Sequence, residues 1–163
     1  MHRVGLWWRI RFRPGSQSRP CRCLESTHPQ DLQQTRRPGL RQLKAVAGYE
    51  DKPLNTTALG FYLGPRLNVA GRLATADLAL ELLKAPDEEL AADLAAQLNA
   101  LNGRRQKLQR EGMREAESLV APDDLEAERI IILLGESWHL GVIGLLASRL
   151  ANKYHRPAVV GTE

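Results

Sequence analysis

Arg129-Ile130-Ile131-Ile132-Leu133-Leu134, then Gly141-Val142-Ile143-Gly144-Leu145-Leu146-Ala147-Ser148-Arg149-Leu150, then Ala158-Val159-Val160: these three runs decide the fold. The first is continuous and β-branched, as parallel strands covered on both faces are. The second sets Val142, Leu145, Leu146 and Leu150 along one side of a helix. Gly135–Leu140 forms a loop between them, and Pro157 precedes the third run, a second strand. A strand–helix–strand unit of this kind is right-handed. Two parallel strands and one helix do not make a stable sheet by themselves. Residues 128–163 therefore read as the beginning of an α/β domain, cut at its C-terminal side.

Upstream of this unit lies a long helix, expected over 87–121. Asp87 starts it, and Glu88 and Glu89 in its first turn favour the positive end of the helix dipole. Leu90, Leu94, Leu98, Leu101 and Leu108 form a stripe that Arg105 interrupts; Met113 and Ala116 carry the helix on, and Pro122 closes it. Gly103 and Gly112 each cost about 1 kcal/mol relative to Ala and allow local bends. The stripe is too narrow and irregular for a coiled coil of several heptads. A strut joining two packed regions fits it better.

Residues 31–86 read as mostly helical. Pro38 suits the first turn of a helix through Leu40, Leu43 and Val46 that ends at Gly48. Asn55 caps a short helix Ala58–Leu63, and Gly64-Pro65 breaks the chain. Thr75 caps a helix whose face is Leu78, Leu82 and Leu83, ending before Pro86.

The composition, 43% hydrophobic and 26% charged over 163 residues, is that of a soluble globular chain, and the 5% aromatic content leaves the core to aliphatic residues. The net charge of +4 is uneven. Residues 1–44 carry ten Lys and Arg against two acids, while the remaining 119 residues carry 13 against 17. Basicity is thus a property of the first quarter. Residues 1–30 show no lasting period beyond a possible strand at Gly5–Phe12, and read as a disordered or non-native leader, with a basic phosphate-meeting arm as the alternative. Cys21 and Cys23 have no second ligand pair at metal spacing and cannot build a disulfide framework, so a reducing, cytoplasmic setting is expected. No run is long enough to cross a bilayer and no secretory signal is present, so no membrane partner is expected.

A search for catalytic groups comes back thin. His2, His28, His139 and His155 form no i, i+4 pair, and no phosphate-binding glycine loop of the nucleotide-binding types occurs. Asp87-Glu88-Glu89 and Asp123-Asp124 sit at helix or loop edges and read as solvated caps. Gly141-x-x-Gly144 could aim backbone N–H groups at an anion, and close packing of helix on sheet explains the glycines equally well. The most unusual segment is Gly64-Pro65-Arg66-Leu67-Asn68-Val69-Ala70-Gly71-Arg72. It reads as a turn framed by Gly and Pro that holds two guanidinium forks and an amide, a set suited to bidentate phosphate recognition.

Gly64–Leu73 resembles the signature turn of the RecJ family, single-strand-specific DNA exonucleases of the DHH phosphoesterase superfamily. Thr35–Leu40 resembles the segment leading to that turn, and Leu78–Leu83 with the long helix resembles the family's connector. Gly135–Gly144, followed by Ala147-Ser148-Arg149 and Tyr154-His155-Arg156-Pro157, resembles the start of the DHH-associated domain. The resemblance covers about residues 34–163. Val69 stands where the family usually has Ala, and Ser137 and Leu140 where it usually has Gly and Pro.

The resemblance implies the C-terminal part of a DHH domain at 31–86, the connecting helix, and a truncated DHH-associated domain. It implies two Mn²⁺ or Mg²⁺ ions in the complete enzyme, activating water against a phosphodiester, and single-stranded DNA as the partner in the cleft, degraded 5′ to 3′. Arg72 then maps to the catalytic arginine near the scissile phosphate. Asn68 holds the turn, Arg66 contacts backbone phosphates, and His139 and Gly141 face the cleft from the other side. Trp138-His139 could also serve in packing. The family's Asp-His-His and its upstream Asp-x-Asp are absent from this sequence, so no metal site is expected in this chain, the missing DHH segment would be required for activity, and the isolated chain is expected to be inactive. Two other readings stay open: a truncated product that weakly binds single strands through Arg66, Arg72, Arg104, Arg105 and Arg110, or part of another DHH-superfamily phosphodiesterase.

Overall fold

A computed structural model describes residues 32–120 and 129–163. The expected leader at 1–30, with its Gly5–Phe12 alternation and its cysteines, and the Asp123-Asp124 pair lie outside these residues.

The chain is α/β: a helical run, one long helix and a small parallel sheet. Helix α1 spans Pro38–Val46, with Pro in its first turn where no N–H is needed. Gly48 follows it at φ +74°, the left-handed conformation that closes helices cheaply only for glycine. Asn55 caps α2, Thr56–Ala58, by accepting from the Ala58 N–H at 2.7 Å.

The structure departs from the expected chain break at Gly64-Pro65. The backbone widens into a π-helical turn over Leu59–Leu63 and continues as α3, Gly64–Asn68. In a regular α-helix the Pro65 ring would strike the carbonyl four residues back. The wider turn, in which the Gly64 N–H reaches the Leu59 carbonyl, moves that carbonyl aside. Buried Val69 joins α3 to α4, Ala70–Leu73. The expected turn is therefore two short helices joined at Val69.

Helix α5 spans Asp77–Lys84 and buries Leu82. Its N-cap is Ala76 with no side-chain bond, so Thr75 does not cap it; the Thr75 carbonyl accepts from the Leu78 N–H instead. Helix α6, Glu88–Leu119, is capped by Asp87, which accepts from the Leu90 N–H at 2.9 Å. Its 32 residues extend ~48 Å. It runs unbroken through Gly103, whose outer side is open, and Gly112, which is pressed against Leu146. Leu94 and Leu98 of the expected stripe are buried, but Leu90 is exposed, because Ala91 and Ala95 take the inner face.

Two apolar clusters form along α6. Its first half packs with Leu43, Leu54, Ala58, Leu63, Val69 and Leu82. Its second half, through Leu108, Met113 and Ala116, packs with Trp138, Val142, Leu146 and Leu150. Leu73 touches both clusters. A helix this long cannot bury one face in a single small core, so it spans two, as a strut does.

Strands β1, Ile131–Gly135, and β2, Ala158–Thr162, pair in parallel with Ile131 opposite Ala158 and Gly135 opposite Thr162. Helix α7, Leu140–Tyr154, makes the crossover. Burial of β1 alternates: Ile131 is buried, whereas Ile132 and Leu134 are 62% and 68% exposed. The expected strand covered on both faces is covered on one, since α7 sits on a single side of the two-stranded sheet.

Trp138 anchors the second cluster. It is 5% exposed, and its Nε1–H donates to Glu115 Oε2 at 2.8 Å. Trp138→Ala is expected to destabilise by about 3–5 kcal/mol, and Trp138→Phe, which loses the hydrogen bond and part of the ring's packing, by about 1–2 kcal/mol. Urea unfolding followed by far-UV circular dichroism measures both. Equal losses for the two variants would show that the ring's packing is not what counts.

Candidate nucleic-acid interface

The signature segment gives its two arginines different partners. Arg66, on α3, turns inward. Its Nε donates to Asn99 Oδ1 at 2.9 Å, Nη1 to the Tyr62 carbonyl at 2.6 Å and Nη2 to the Val46 carbonyl at 3.2 Å. One guanidinium thus ties α6, the π turn and the end of α1 together. Burial pulls its pKa down from the usual arginine value. With three donors spent internally, Arg66 works as a clamp of the fold.

Arg72, on α4, is exposed. Its Nη1 donates to the Gly141 carbonyl at 3.3 Å across 69 residues of sequence. Here α4 and the first turn of α7 nearly touch: a Cβ on Gly141 would lie 2.1 Å from the Arg72 carbonyl oxygen. Of the two sequence explanations for Gly141, close packing is the one realised, though against α4 rather than the sheet. Gly144 has open space beside it and no such constraint.

His139 is the N-cap of α7. Its Nδ1 accepts from the Gly141 N–H at 3.0 Å, leaving the rest of the exposed ring facing solvent. That bond occupies one of the N–H groups an anion would use. Arg72, His139 and Gly141 are therefore brought together. Asn68 ends α3, exposed, and its side chain has no internal hydrogen-bond partner among the described residues, so it does not brace the segment.

Two further arginines join Arg72 that the sequence did not single out for this place. Arg105 was legible as a break in the leucine stripe and as one of several cations open to a single strand, Arg149 only within Ala147-Ser148-Arg149. Arg105 is held on α6 by buried Asn102, whose Oδ1 accepts from Nη2, and by buried Gln109, whose Oε1 accepts from Nη1, each at 3.0 Å. Its Nε is buried without an acceptor. Burial lowers its pKa most, and the positive charges of Arg72 and Arg149 lower it further. A charged residue within an apolar stripe, flanked by Asn and Gln at i−3 and i+4, was the signal available in the sequence.

Among the described residues, no three His, Cys, Asp or Glu side chains converge as a metal site would require. The residues present here thus do not fit the two-ion centre that the family resemblance implies. No described helix is long and apolar enough to cross a membrane.

What the fold and the cluster define is a cationic seam, α4 against the start of α7, with α6 running beneath both packed regions. No family profile matches the chain. Individual proteins do. The chain is 37% identical over 129 residues to the single-stranded-DNA-specific exonuclease RecJ of Bacillus subtilis strain 168, covering 79% of this chain and 16% of that protein. It is 39% identical over 128 residues to the enzyme of the same name from Escherichia coli K12, covering 76% and 22%. The crystal structure of RecJ from Thermus thermophilus in complex with Mn²⁺ superposes with a TM-score of 0.71 at 32% identity, over 82% of this chain and 20% of that one. A structure of exonuclease RecJ bound to manganese gives 0.72, also at 32% identity, with 33% of that chain covered. The likeness to the RecJ family is thus one of both sequence and fold, over a part: the chain spans about a fifth of the length of the curated relatives it matches.

Proposed function

We propose that this chain is part of a RecJ-type exonuclease that hydrolyses phosphodiester bonds in single-stranded DNA. Its contribution is the phosphate-contacting seam and the strut, with the metal ligands supplied by sequence outside the described residues. One observation carries the proposal: the segment most like RecJ in sequence, Gly64–Leu73, sits against the other RecJ-like segment, at His139 and Gly141, through the Arg72–Gly141 contact. A cleft that grips a strand from two sides needs such a meeting point.

In this reading Arg72 stands beside the scissile phosphate, where a guanidinium fork stabilises negative charge that grows in the transition state. Exposed Asn68 offers an amide to the same strand. His139, its Nδ1 already engaged by the helix it caps, presents the rest of its ring from the opposite side. The ions that the Thermus enzyme holds would activate water; this chain's residues orient the phosphate and neutralise its charge.

The purified 163-residue chain, given Mn²⁺ and 5′-labelled single strands, is expected to release no nucleotides. Steady turnover by that chain, resistant to further purification, would show that it carries a hydrolytic centre of its own and overturn the division of labour proposed here.

A further inference from the structure

Trp138 sits in a slot shaped for its ring. A Cβ on Gly135, at the end of β1, would collide with the indole, and a Cβ on Gly112, on α6, would lie 3.7 Å from it. The two glycines let the ring lie against the backbone of both elements. Apolar packing of this kind is non-directional, so it holds the ring in the slot without fixing where its edge points. The edge is fixed by the Nε1–H bond to Glu115 Oε2 at 2.8 Å. That bond is directional, and a carboxylate acceptor strengthens it. It also ties the loop before α7 to the strut, across 23 residues of sequence.

From Trp138 a short chain of contacts leads to Arg72. The next residue, His139, caps α7 by accepting from the Gly141 N–H, and the Gly141 carbonyl accepts from Arg72. Both backbone polar groups of Gly141 are therefore engaged. With Gly141 pressed on the Arg72 backbone, a displacement of the indole passes through three stiff peptide units to the first turn of α7, and from there to the guanidinium.

We infer that Glu115 is a positioning residue: by fixing the indole of Trp138 it sets where the first turn of α7 stands, and so where Arg72 is held. Glu115 acts only through Trp138, and its effect on hydrolysis rests on the function proposed above.

Three variants test this. Glu115→Leu removes the acceptor, and Glu115→Gln keeps one in its amide oxygen. Glu111→Leu repeats the first change one turn earlier on α6, at an exposed acid whose partner is Lys107. All three positions lie on the exposed side of the helix, and circular dichroism checks that the variants fold. In the nitrogen-15-labelled 163-residue chain, Glu115→Leu is expected to move both the Trp138 indole N–H resonance and the Gly141 amide resonance. Glu115→Gln should hold the Gly141 resonance near its parent position, and Glu111→Leu should leave both in place. The second readout is hydrolysis by a protein that joins a metal-binding RecJ segment to this chain, assayed well below its melting temperature. There Glu115→Leu is expected to lower kcat by about tenfold with KM little changed, since a displacement of about 1 Å far from the chemistry can cost about 100-fold. Glu115→Gln should recover most of the loss. A side chain that served stability alone would not change kcat of the folded enzyme.

An unmoved Gly141 amide in Glu115→Leu overturns the inference, because the bond's influence then stops at the indole. So does a normal kcat in Glu115→Leu beside a strongly reduced one in Arg72→Ala; that result leaves the function proposed above standing. No hydrolysis by the joined parent counts against that function instead, and the two resonances alone then decide whether Glu115 sets the position of Gly141.

Discussion

On the proposed function, Arg72→Ala in a protein that joins a metal-binding RecJ segment to this chain is expected to lower the rate of single-strand hydrolysis by about 100-fold or more, the usual loss when one preorganised donor to a developing oxyanion is removed. Folding should hardly change. Arg72 is exposed, and its bond to the Gly141 carbonyl is a long 3.3 Å. The loss should fall on kcat more than on KM, because the charge it meets is largest in the transition state. Arg72→Lys keeps the charge and loses the fork, so it should recover part of the rate. A near-normal rate in Arg72→Ala would remove Arg72 from the chemistry. A matching fall in stability would show instead that the residue only holds α4 to α7.

Gly141→Ala is expected to have the largest effect on the junction itself. The added methyl would sit 2.1 Å from the Arg72 carbonyl oxygen, which is backbone and cannot rotate away. Helices α4 and α7 must separate, and the Arg72–Gly141 bond goes with them. Forcing one carbon into such a contact costs about 3 kcal/mol, the upper part of the range for overpacking. Gly144→Ala, one turn further along the same helix with nothing within 4 Å, provides the contrast; it should be neutral or stabilise by up to about 1 kcal/mol through helix propensity alone. Urea midpoints of the two variants decide the matter. A Gly141→Ala protein within about 0.5 kcal/mol of the parent, the ordinary range for a surface change, would mean that the two helices are not held together as described. Because Leu73 packs into both apolar clusters, displacement of α4 should also loosen the strut, and hydrogen exchange along α6 would register it.

The same two contacts separate what sequence reading reaches from what it does not. Helix α1 was legible from Pro38 in its first turn and α6 from its Asp87 cap, because both residues act on their own neighbouring backbone; the Asn55 cap was legible too, but the α-helix expected at Ala58–Leu63 is α2 at Thr56–Ala58 followed by the π turn. The strand–helix–strand unit was legible for the same reason: apolar period is a property of a short window. The π turn before Pro65 was not, since a Gly-Pro pair marks a break unless surrounding packing rewards carrying the helix on. The open face at Ile132 and Leu134 was missed because an apolar strand reads alike whether one side or both are covered.

For the site, the sequence singled out Gly64–Arg72 as unusual and the family resemblance marked Gly135–Gly144, and residues of the two segments meet. It could not assign their work. Arg66 and Arg72 are the same chemical group six residues apart; only the tertiary structure turns one into a clamp on three elements and leaves the other exposed across a helix junction. Nor could it pair Arg105 with Arg149, which lie 44 positions apart on different helices. Local order along a chain dictates helix, strand and cap, because those depend on neighbours a few bonds away. Which charges end up facing one another depends on how whole elements pack, and no spacing rule carries that information.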